Sequence, residues 1–123
     1  MAPTLPERDR EVCWHPYTQH ALDTEPLAVI GAKGAWLELA DGTQRLDAIA
    51  SWWANLHGHA RPELLAAMHA QAAQLDHILF AGFTHEPAVL LAEQLLEIAP
   101  APLSKVFYSD NGSTAVEVAI KVA

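Results

Sequence analysis

The sequence has 123 residues, 51% of them hydrophobic, so it is long enough for one small domain and apolar enough to bury a core. A formal net charge of −8 and scattered Lys and Arg residues argue against nucleic-acid binding, which requires clustered cations. A single cysteine, Cys13, excludes an internal disulfide framework, and no apolar run approaches the roughly 20 residues of a membrane span. Together with an N-terminus unlike a secretory signal, these features predict a soluble cytoplasmic protein.

The chain begins with a lead-in and an irregular aromatic segment. Residues 1–13 are charged and contain proline, and we expect them to be flexible or helical. In Trp14-His15-Pro16-Tyr17-Thr18-Gln19, two aromatic residues flank a proline without helical or strand periodicity. We expect Trp14 to pack against the protein, whereas the hydroxyl of Tyr17 suits a polar site.

Residues 28–47 are predicted to form β structure. Two runs of strand-forming residues lie on either side of Asp41-Gly42, and Asp-Gly between such runs is a strong signal for a β-hairpin. Gly31 and Gly34 are expected to mark bends at the entry to this region.

Residues 48–62 lack a regular period and place Trp52-Trp53 before a His-Gly-His turn. Adjacent residues do not share a face of a helix or a strand, so at most one indole can line a given pocket, and we expect Trp53 to pack. His57 and His59 have no cysteine or third ligand nearby, so we predict no metal site. Turn hydrogen bonds and helix capping are the predicted roles of the two histidines.

Two amphipathic helices are predicted next. Pro62 suits the first turn of a helix, and the apolar residues after it recur at helical spacing. Gly82 is expected to bend the chain beyond this helix. The second helix is predicted from Ala88 to Ile98, with an N-cap at Thr84, a proline in its first turn, and further prolines that end it.

The final segment is predicted to contain a strand, a polar turn and a helix. Val106-Phe107-Tyr108 is β-branched and aromatic, as a buried strand requires. Ser109 to Thr114 contains small, polar or turn-forming residues, and helix formers follow. Thr114 and Glu117 have the spacing of a capping box.

A turn of this kind can bind an anion. The first amides of a helix have no internal partners, and the macrodipole places partial positive charge there. Gly112 lets a ligand approach the backbone, and the hydroxyls of Ser113 and Thr114 can add hydrogen bonds. The turn is thus predicted to be a phosphate cradle. An ordinary capped turn with nothing bound is the alternative, because the glycine pattern matches neither the dinucleotide-binding motif nor the P-loop.

Several blocks carry a resemblance to known sequences, from about Trp14 to the last residue. The blocks are Trp14-His15-Pro16-Tyr17-Thr18, Leu46-Asp47 with Ser51-Trp52-Trp53-Ala54, His57-Gly58 with Pro62, the segment 80–88 and the segment 109–119. They resemble the class III pyridoxal-phosphate aminotransferases, and the first two blocks are the most specific. One departure is Arg61, where the family commonly has histidine.

The resemblance implies an α/β fold: the N-terminal segment and the start of the large domain of a fold-type I pyridoxal-phosphate-dependent transferase. Residues 1–50 would form the N-terminal segment with its hairpin. Residues 51–123 would begin the large cofactor-binding domain, and the chain would be the N-terminal piece of a longer protein.

The resemblance also implies roles for particular residues. Gly112 and Ser113 match residues that bind the phosphate of pyridoxal 5'-phosphate. Trp52 matches a residue that lines the substrate pocket, and Tyr17 matches a tyrosine that contacts the amino-acceptor substrate. The lysine that holds the cofactor as a Schiff base lies outside this sequence, so no catalytic residue is assigned within it. We therefore expect this chain alone to bind cofactor poorly and to catalyse nothing.

The implied activity belongs to biotin biosynthesis. It transfers an amino group to 8-amino-7-oxononanoate to give 7,8-diaminononanoate, with S-adenosylmethionine as the usual donor and lysine in some relatives. The implied assembly is a homodimer of full-length chains. Two alternatives are another class III aminotransferase acting on an ω-amino acid or diamine, and a non-catalytic α/β binding module if the chain truly ends at Ala123.

Overall fold

A computed structural model describes residues 2–22 and 24–123. The described residues form two compact units, one up to residue 76 and one from residue 77 to residue 123. The first helix, α1 (Leu5–Val12), confirms a helical lead-in. Thr4 caps it, because its hydroxyl accepts the amide of Glu7 while the Glu7 carboxylate accepts the amide of Thr4. No helix among the described residues is both long and apolar enough to cross a bilayer.

A three-stranded antiparallel sheet follows in the first unit. Its strands pair in sequence order and are β1 (Val29–Lys33), β2 (Trp36–Leu39) and β3 (Gln44–Leu46). The predicted Asp-Gly hairpin is confirmed between β2 and β3. Gly42 has φ +82°, and the Asp41 carboxylate accepts the Thr43 amide at 2.8 Å and its hydroxyl at 2.6 Å.

The two glycines expected to mark bends lie at different kinds of irregularity. Gly34 has φ +58° and turns the chain between β1 and β2. Gly31 lies within β1, where the register against β2 shifts. A bulge of this kind bends a strand without ending it.

After the sheet, the chain makes a single turn of the opposite hand to an ordinary helix. The turn, α2 (Ala50–Trp53), has φ values of +47°, +46°, +58° and +68° at its successive residues. A left-handed conformation costs an L-residue about 1–2 kcal/mol, so four in a row require compensating contacts. The sequence did not predict this turn.

Asp47, directly after β3, provides these contacts. One carboxylate oxygen accepts the Ser51 amide at 2.9 Å, and the other accepts the Ser51 hydroxyl at 2.7 Å. The second oxygen also lies 2.7 Å from Nε2 of His59. We call Asp47, Ser51 and His59 the aspartate clasp, because they hold both ends of the segment around the left-handed turn.

The His-Gly-His turn closes against the β1–β2 turn. Gly34 and His59 exchange backbone hydrogen bonds of 3.0 and 2.7 Å. Gly58 has φ +80°, and a Cβ added to it would lie 3.1 Å from the Cα and carbonyl oxygen of Gly34. The predicted turn hydrogen bonds are therefore confirmed for His59, but the predicted helix capping was wrong, because Arg61 is the N-cap of α3 and makes no side-chain cap bond. The position of Gly58 requires a residue without a side chain.

Three longer helices follow the left-handed turn in the chain. They are α3 (Pro62–Gln74) in the first unit, and α4 (Glu86–Ile98) and α5 (Gly112–Val122) in the second. The predictions for α3 and α4 are confirmed, and Gly82 lies at a bend with φ +86°. The N-cap of α4 is His85, not Thr84, and it caps without a side-chain hydrogen bond.

Two predictions about the final segment were wrong. The strand at Val106-Phe107-Tyr108 does not form among the described residues, because no neighbouring strand pairs with it. The capping box uses Asn111 and Thr114 instead of Thr114 and Glu117. Glu117 pairs with Lys121 at 2.9 Å one turn further along α5.

The core predicted from the composition was also wrong for these residues. Leu39, 3% exposed, is the one buried hydrophobic residue in the part of the chain that the structure describes. Most apolar residues of α3, α4 and α5 remain exposed, for example Met68, Val89 and Ile120. Amphipathic periodicity predicts a helix with one apolar face, but it does not supply the surface that covers that face.

Replacing Gly58 by alanine in the full-length protein should destabilise it more than replacing Gly42. Both glycines have φ near +80°, but a Cβ at Gly42 meets nothing within 4 Å. Gly42→Ala should cost about 1 kcal/mol from backbone strain, and Gly58→Ala roughly 2–3 kcal/mol because Gly34 must also move. Thermal unfolding midpoints would measure this difference, and equal midpoints for the two variants would contradict it.

The aspartate clasp should lose its stabilising effect in acid. The amide of Ser51, then its hydroxyl, then His59 lower the pKa of Asp47 from 3.8 to about 2. A lowered folded-state pKa stabilises the fold above the unfolded value and ceases to do so as pH falls through the folded value. The gap in thermal midpoint between the full-length protein and its Asp47→Asn variant should therefore shrink between about pH 4 and about pH 2. A gap that stays constant over this range would exclude the carboxylate as the source.

Candidate functional site

The structure brings together the two predicted substrate-binding residues. The rings of Tyr17 and Trp52 meet edge to face, with centroids 5.4 Å apart and planes 73° apart. They come from segments separated by the entire sheet, and both belong to the first unit. Tyr17 is 91% exposed and Trp52 57% exposed, so the pair presents two aromatic surfaces and a phenol hydroxyl to a ligand.

Both residues of the pair have a left-handed backbone conformation. Tyr17 has φ +60° and Trp52 has φ +58°. Aromatic residues seldom adopt this region, and where they do, the strain often accompanies function. Two such residues in ring contact therefore form the strongest site signal in the first unit.

Short-range hydrogen bonds hold Tyr17 in its turn. The hydroxyl of Thr18 donates to the carbonyl of His15 at 2.7 Å, and the indole N–H of Trp14 donates to the carbonyl of Thr18 at 3.4 Å. These bonds close the loop on either side of Tyr17. The packing predicted for Trp14 was wrong among the described residues, because its side chain is exposed and only its N–H is engaged.

The left-handed turn separates the two adjacent tryptophans. Trp52 contacts Tyr17, whereas Trp53 is exposed, so its predicted packing was also wrong within the described residues. The aspartate clasp fixes the residue immediately before Trp52, since Ser51 donates both its amide and its hydroxyl to Asp47. The residue before Trp52 is therefore bonded to a carboxylate that sequence reasoning did not select.

Gly112 and Ser113 are the first two residues of α5 in the second unit. The side chain of Asn111 accepts the amide of Thr114 at 3.0 Å, and Thr114 Oγ1 accepts the amide of Asn111 at 3.1 Å. This reciprocal capping box makes Asn111 the N-cap of the helix. The amides of Gly112 and Ser113 donate to no protein acceptor among the described residues.

The hydroxyls of this turn divide into two groups. Thr114 Oγ1 lies 2.5 Å from Ser109 Oγ and 2.9 Å from the carbonyl of Asn111, so it serves the turn. The prediction that Thr114 adds a hydrogen bond to an anion is therefore not supported. The Ser113 hydroxyl has no protein partner in the described chain and remains available.

The donors at this helix start fit a phosphate group. Two free amides, one free hydroxyl and the positive end of the helix dipole converge on the first turn of α5. A Cβ added to Gly112 would meet nothing within 4 Å, so the approach to the backbone is open. Asn111 and Thr114 organise this cradle without occupying it.

Sequence reasoning also missed an aromatic cluster in the second unit. Phe80 meets His85 and Tyr108 edge to face, with both centroid distances 5.9 Å. The hydroxyl of Tyr108 donates to the carbonyl of Ala88 at 2.5 Å, which ties the segment before the cradle to the first turn of α4. His85 Nδ1 is buried without a partner among the described residues.

Comparison with known proteins assigns the family. A sequence profile described as aminotransferase class III matches residues 17–123. The chain is 54% identical over 110 residues to adenosylmethionine-8-amino-7-oxononanoate aminotransferase of Synechococcus elongatus, covering 89% of the chain and 26% of that protein. It is 47% identical over 122 residues to the enzyme of the same name from Geobacter sulfurreducens, covering 98% of the chain and 27% of that protein.

Solved structures agree with this assignment. The crystal structure of the enzyme of the same name from Methanocaldococcus jannaschii matches with a TM-score of 0.88 and 41% identity, covering 95% of this chain and 27% of that one. An omega transaminase from Pseudomonas jessenii, solved in complex with PMP, matches with a TM-score of 0.88 and 34% identity, covering 97% and 27%. The chain thus spans about a quarter of the length of these relatives. It belongs to the class III aminotransferase family and has part of the fold-type I architecture of that family.

Proposed function

We propose that the whole protein transfers an amino group from S-adenosylmethionine to 8-amino-7-oxononanoate and yields 7,8-diaminononanoate for biotin synthesis. The observation that carries this proposal is the contact between Tyr17 and Trp52, the two residues to which the resemblance gave the substrate pocket. Curated relatives named for this activity, 40–54% identical to the chain, support it.

Gly112 and Ser113 are proposed to hold the phosphate of pyridoxal 5'-phosphate. The two free amides and the Ser113 hydroxyl would each donate a hydrogen bond to a phosphate oxygen, and the helix dipole would add its partial positive charge. When bound, the cofactor supplies the amino-group carrier and the electron sink of the reaction. The contribution of this chain is to fix one end of that cofactor.

Tyr17 and Trp52 are proposed to bind the amino-acceptor substrate. The exposed face of the indole offers an apolar wall for a hydrocarbon chain, and the phenol hydroxyl can donate to a keto oxygen or accept from an amine. The edge-to-face contact holds the two rings in a fixed relation. The pair would thus suit a substrate in which a hydrocarbon chain adjoins a polar keto or amino group.

A second class III activity has a specific observation in its favour. The omega transaminase from Pseudomonas jessenii matches with the same TM-score as the enzyme from Methanocaldococcus jannaschii. The identity is lower, at 34% against 41%, which favours the first activity. A non-catalytic module has no such support, because the family profile covers residues 17–123.

The amino donor, the assembly and the compartment remain predictions. S-adenosylmethionine is the donor we favour, and lysine is its competitor. The homodimer rests on the family resemblance, and a cytoplasmic location rests on the sequence-based expectation.

The purified full-length protein with its cofactor would test the function. We expect S-adenosylmethionine to shift the cofactor absorbance, and 8-amino-7-oxononanoate to reverse that shift with formation of 7,8-diaminononanoate. Lysine should produce a weaker shift. A protein that responds to ω-amino acids or diamines but not to S-adenosylmethionine would contradict the proposal and support the omega transaminase activity.

Replacing Ser113 by alanine in the full-length protein should weaken cofactor binding. The change removes one hydroxyl donor but leaves both backbone amides, so the dissociation constant should rise by roughly tenfold. Titration of the apoprotein by absorbance would measure it. Ser104→Ala, a serine outside the cradle, is the matched control and should bind normally; equal loss in both variants would exclude a phosphate contact of Ser113.

Replacing Tyr17 by phenylalanine separates the hydroxyl from the ring. The phenyl group can keep the edge-to-face contact with Trp52, so the pocket should retain its shape. The KM for 8-amino-7-oxononanoate should rise by roughly tenfold, the value of one lost hydrogen bond, while the thermal midpoint stays nearly constant. Steady-state kinetics would measure this, and an unchanged KM would show that the hydroxyl does not contact the acceptor.

A further inference from the structure

We propose that Asp47 is a positioning residue for the substrate pocket: its carboxylate holds the left-handed turn that presents Trp52 to the amino acceptor. The inference rests on the proposed role of Trp52 in substrate binding. It assigns to Asp47, and secondarily to Ser51 and His59, a function that no resemblance or comparison gave them.

Asp47 contacts Ser51, the residue that precedes Trp52 in the chain. Both protons of Ser51, on the amide and on the hydroxyl, are donated to the same carboxylate. The carbonyl of Asp47 also accepts the amide of Ala50 at 3.3 Å, which closes the start of the turn. The residue that precedes Trp52 is therefore fixed at two atoms.

His59 fixes the carboxylate from the other side. Its Nε2 lies 2.7 Å from the oxygen that also accepts the Ser51 hydroxyl. The backbone of His59 is in turn paired with Gly34 on the β1–β2 turn. The clasp thus joins the left-handed turn to the β1–β2 turn of the sheet. The segment that carries Trp52 is therefore anchored to the sheet as well as to its own loop.

Burial makes the clasp difficult to replace with water. The side chain of Asp47 is 7% exposed and that of His59 is 16% exposed. Replacing the second carboxylate oxygen by the NH2 group of asparagine would leave the Ser51 hydroxyl and the His59 ring without their acceptor in a place that water reaches poorly. The free-energy cost of the left-handed residues would then no longer be offset by these hydrogen bonds, so the turn should relax toward other conformations.

Asp41 provides a matched control within the same unit. It too accepts the amide and the hydroxyl of one residue, Thr43, at 2.8 and 2.6 Å. Its turn joins β2 to β3 and carries no residue of the proposed pocket. Asp41→Asn therefore replaces the carboxylate of a comparable side-chain turn by an amide without acting on Trp52.

A double-mutant cycle in the full-length holoenzyme tests the proposal. Asp47→Asn should raise the KM for 8-amino-7-oxononanoate by roughly tenfold, with a smaller effect on kcat, because binding geometry is lost and not a reacting group. In the Trp52→Leu background the same change should alter kcat/KM by less than about twofold, since the residue it positions is already absent. Asp41→Asn should leave both constants near those of the wild type.

Hydrogen exchange supplies a readout that does not depend on turnover. Amides in the peptide that covers residues 48–56 should exchange faster, by roughly tenfold, in Asp47→Asn but not in Asp41→Asn. If the wild type fails to use 8-amino-7-oxononanoate, the proposed function fails. The cycle would then be run with a keto acid that the enzyme does turn over, so the role of Asp47 is judged separately.

The exchange rates and the kinetic cycle together decide between a positioning role and a structural role for Asp47. Faster exchange together with a non-additive loss of kcat/KM supports a positioning role. Faster exchange with additive effects in the Trp52→Leu background, or with unchanged kinetics, reduces Asp47 to a structural residue and overturns the proposal. If Asp47→Asn does not fold, Ser51→Ala takes its place, because it removes one donor of the clasp and keeps the carboxylate.

Discussion

The carboxylate of Asp47 is the contact on which the first unit depends. It accepts the amide and hydroxyl of Ser51 and lies within hydrogen-bonding distance of His59, and these contacts hold a four-residue turn of the unfavourable hand. A turn of this kind does not persist without such support. Because Trp52 lies within it, the same carboxylate connects the antiparallel sheet to the proposed substrate surface.

The second unit prepares its site in a different way. There the side chains of Asn111 and Thr114 each accept the backbone amide of the other residue. The amides of Gly112 and Ser113 donate to no protein acceptor within the described part of the chain. One unit thus places a buried carboxylate next to the residue before Trp52, and the other presents backbone amides to the proposed phosphate.

Local signals predicted much of the fold, and non-local contacts account for what they missed. Asp41-Gly42 and Pro62 specify a hairpin and a helix start through backbone preferences that act within a few residues. The left-handed turn depends on His59, which lies 12 residues beyond Asp47, and no propensity describes such a contact. The strand predicted at residues 106–108 failed for the same reason, because a strand requires a partner that its own sequence does not supply. Of the site residues, Gly112 and Ser113 were predicted from the turn itself and Tyr17 from its hydroxyl, and the resemblance added their specific roles and Trp52. The clasp became visible only in three dimensions.

A crystal structure of the full-length protein with pyridoxal 5'-phosphate and 8-amino-7-oxononanoate bound would test this account most directly. We predict that the phosphate lies on the amides of Gly112 and Ser113. The substrate chain should lie against the indole of Trp52, with Ser51 and Trp52 at positive φ and Asp47 bonded to Ser51. A phosphate bound elsewhere, or a substrate that contacts neither Trp52 nor Tyr17, would contradict it.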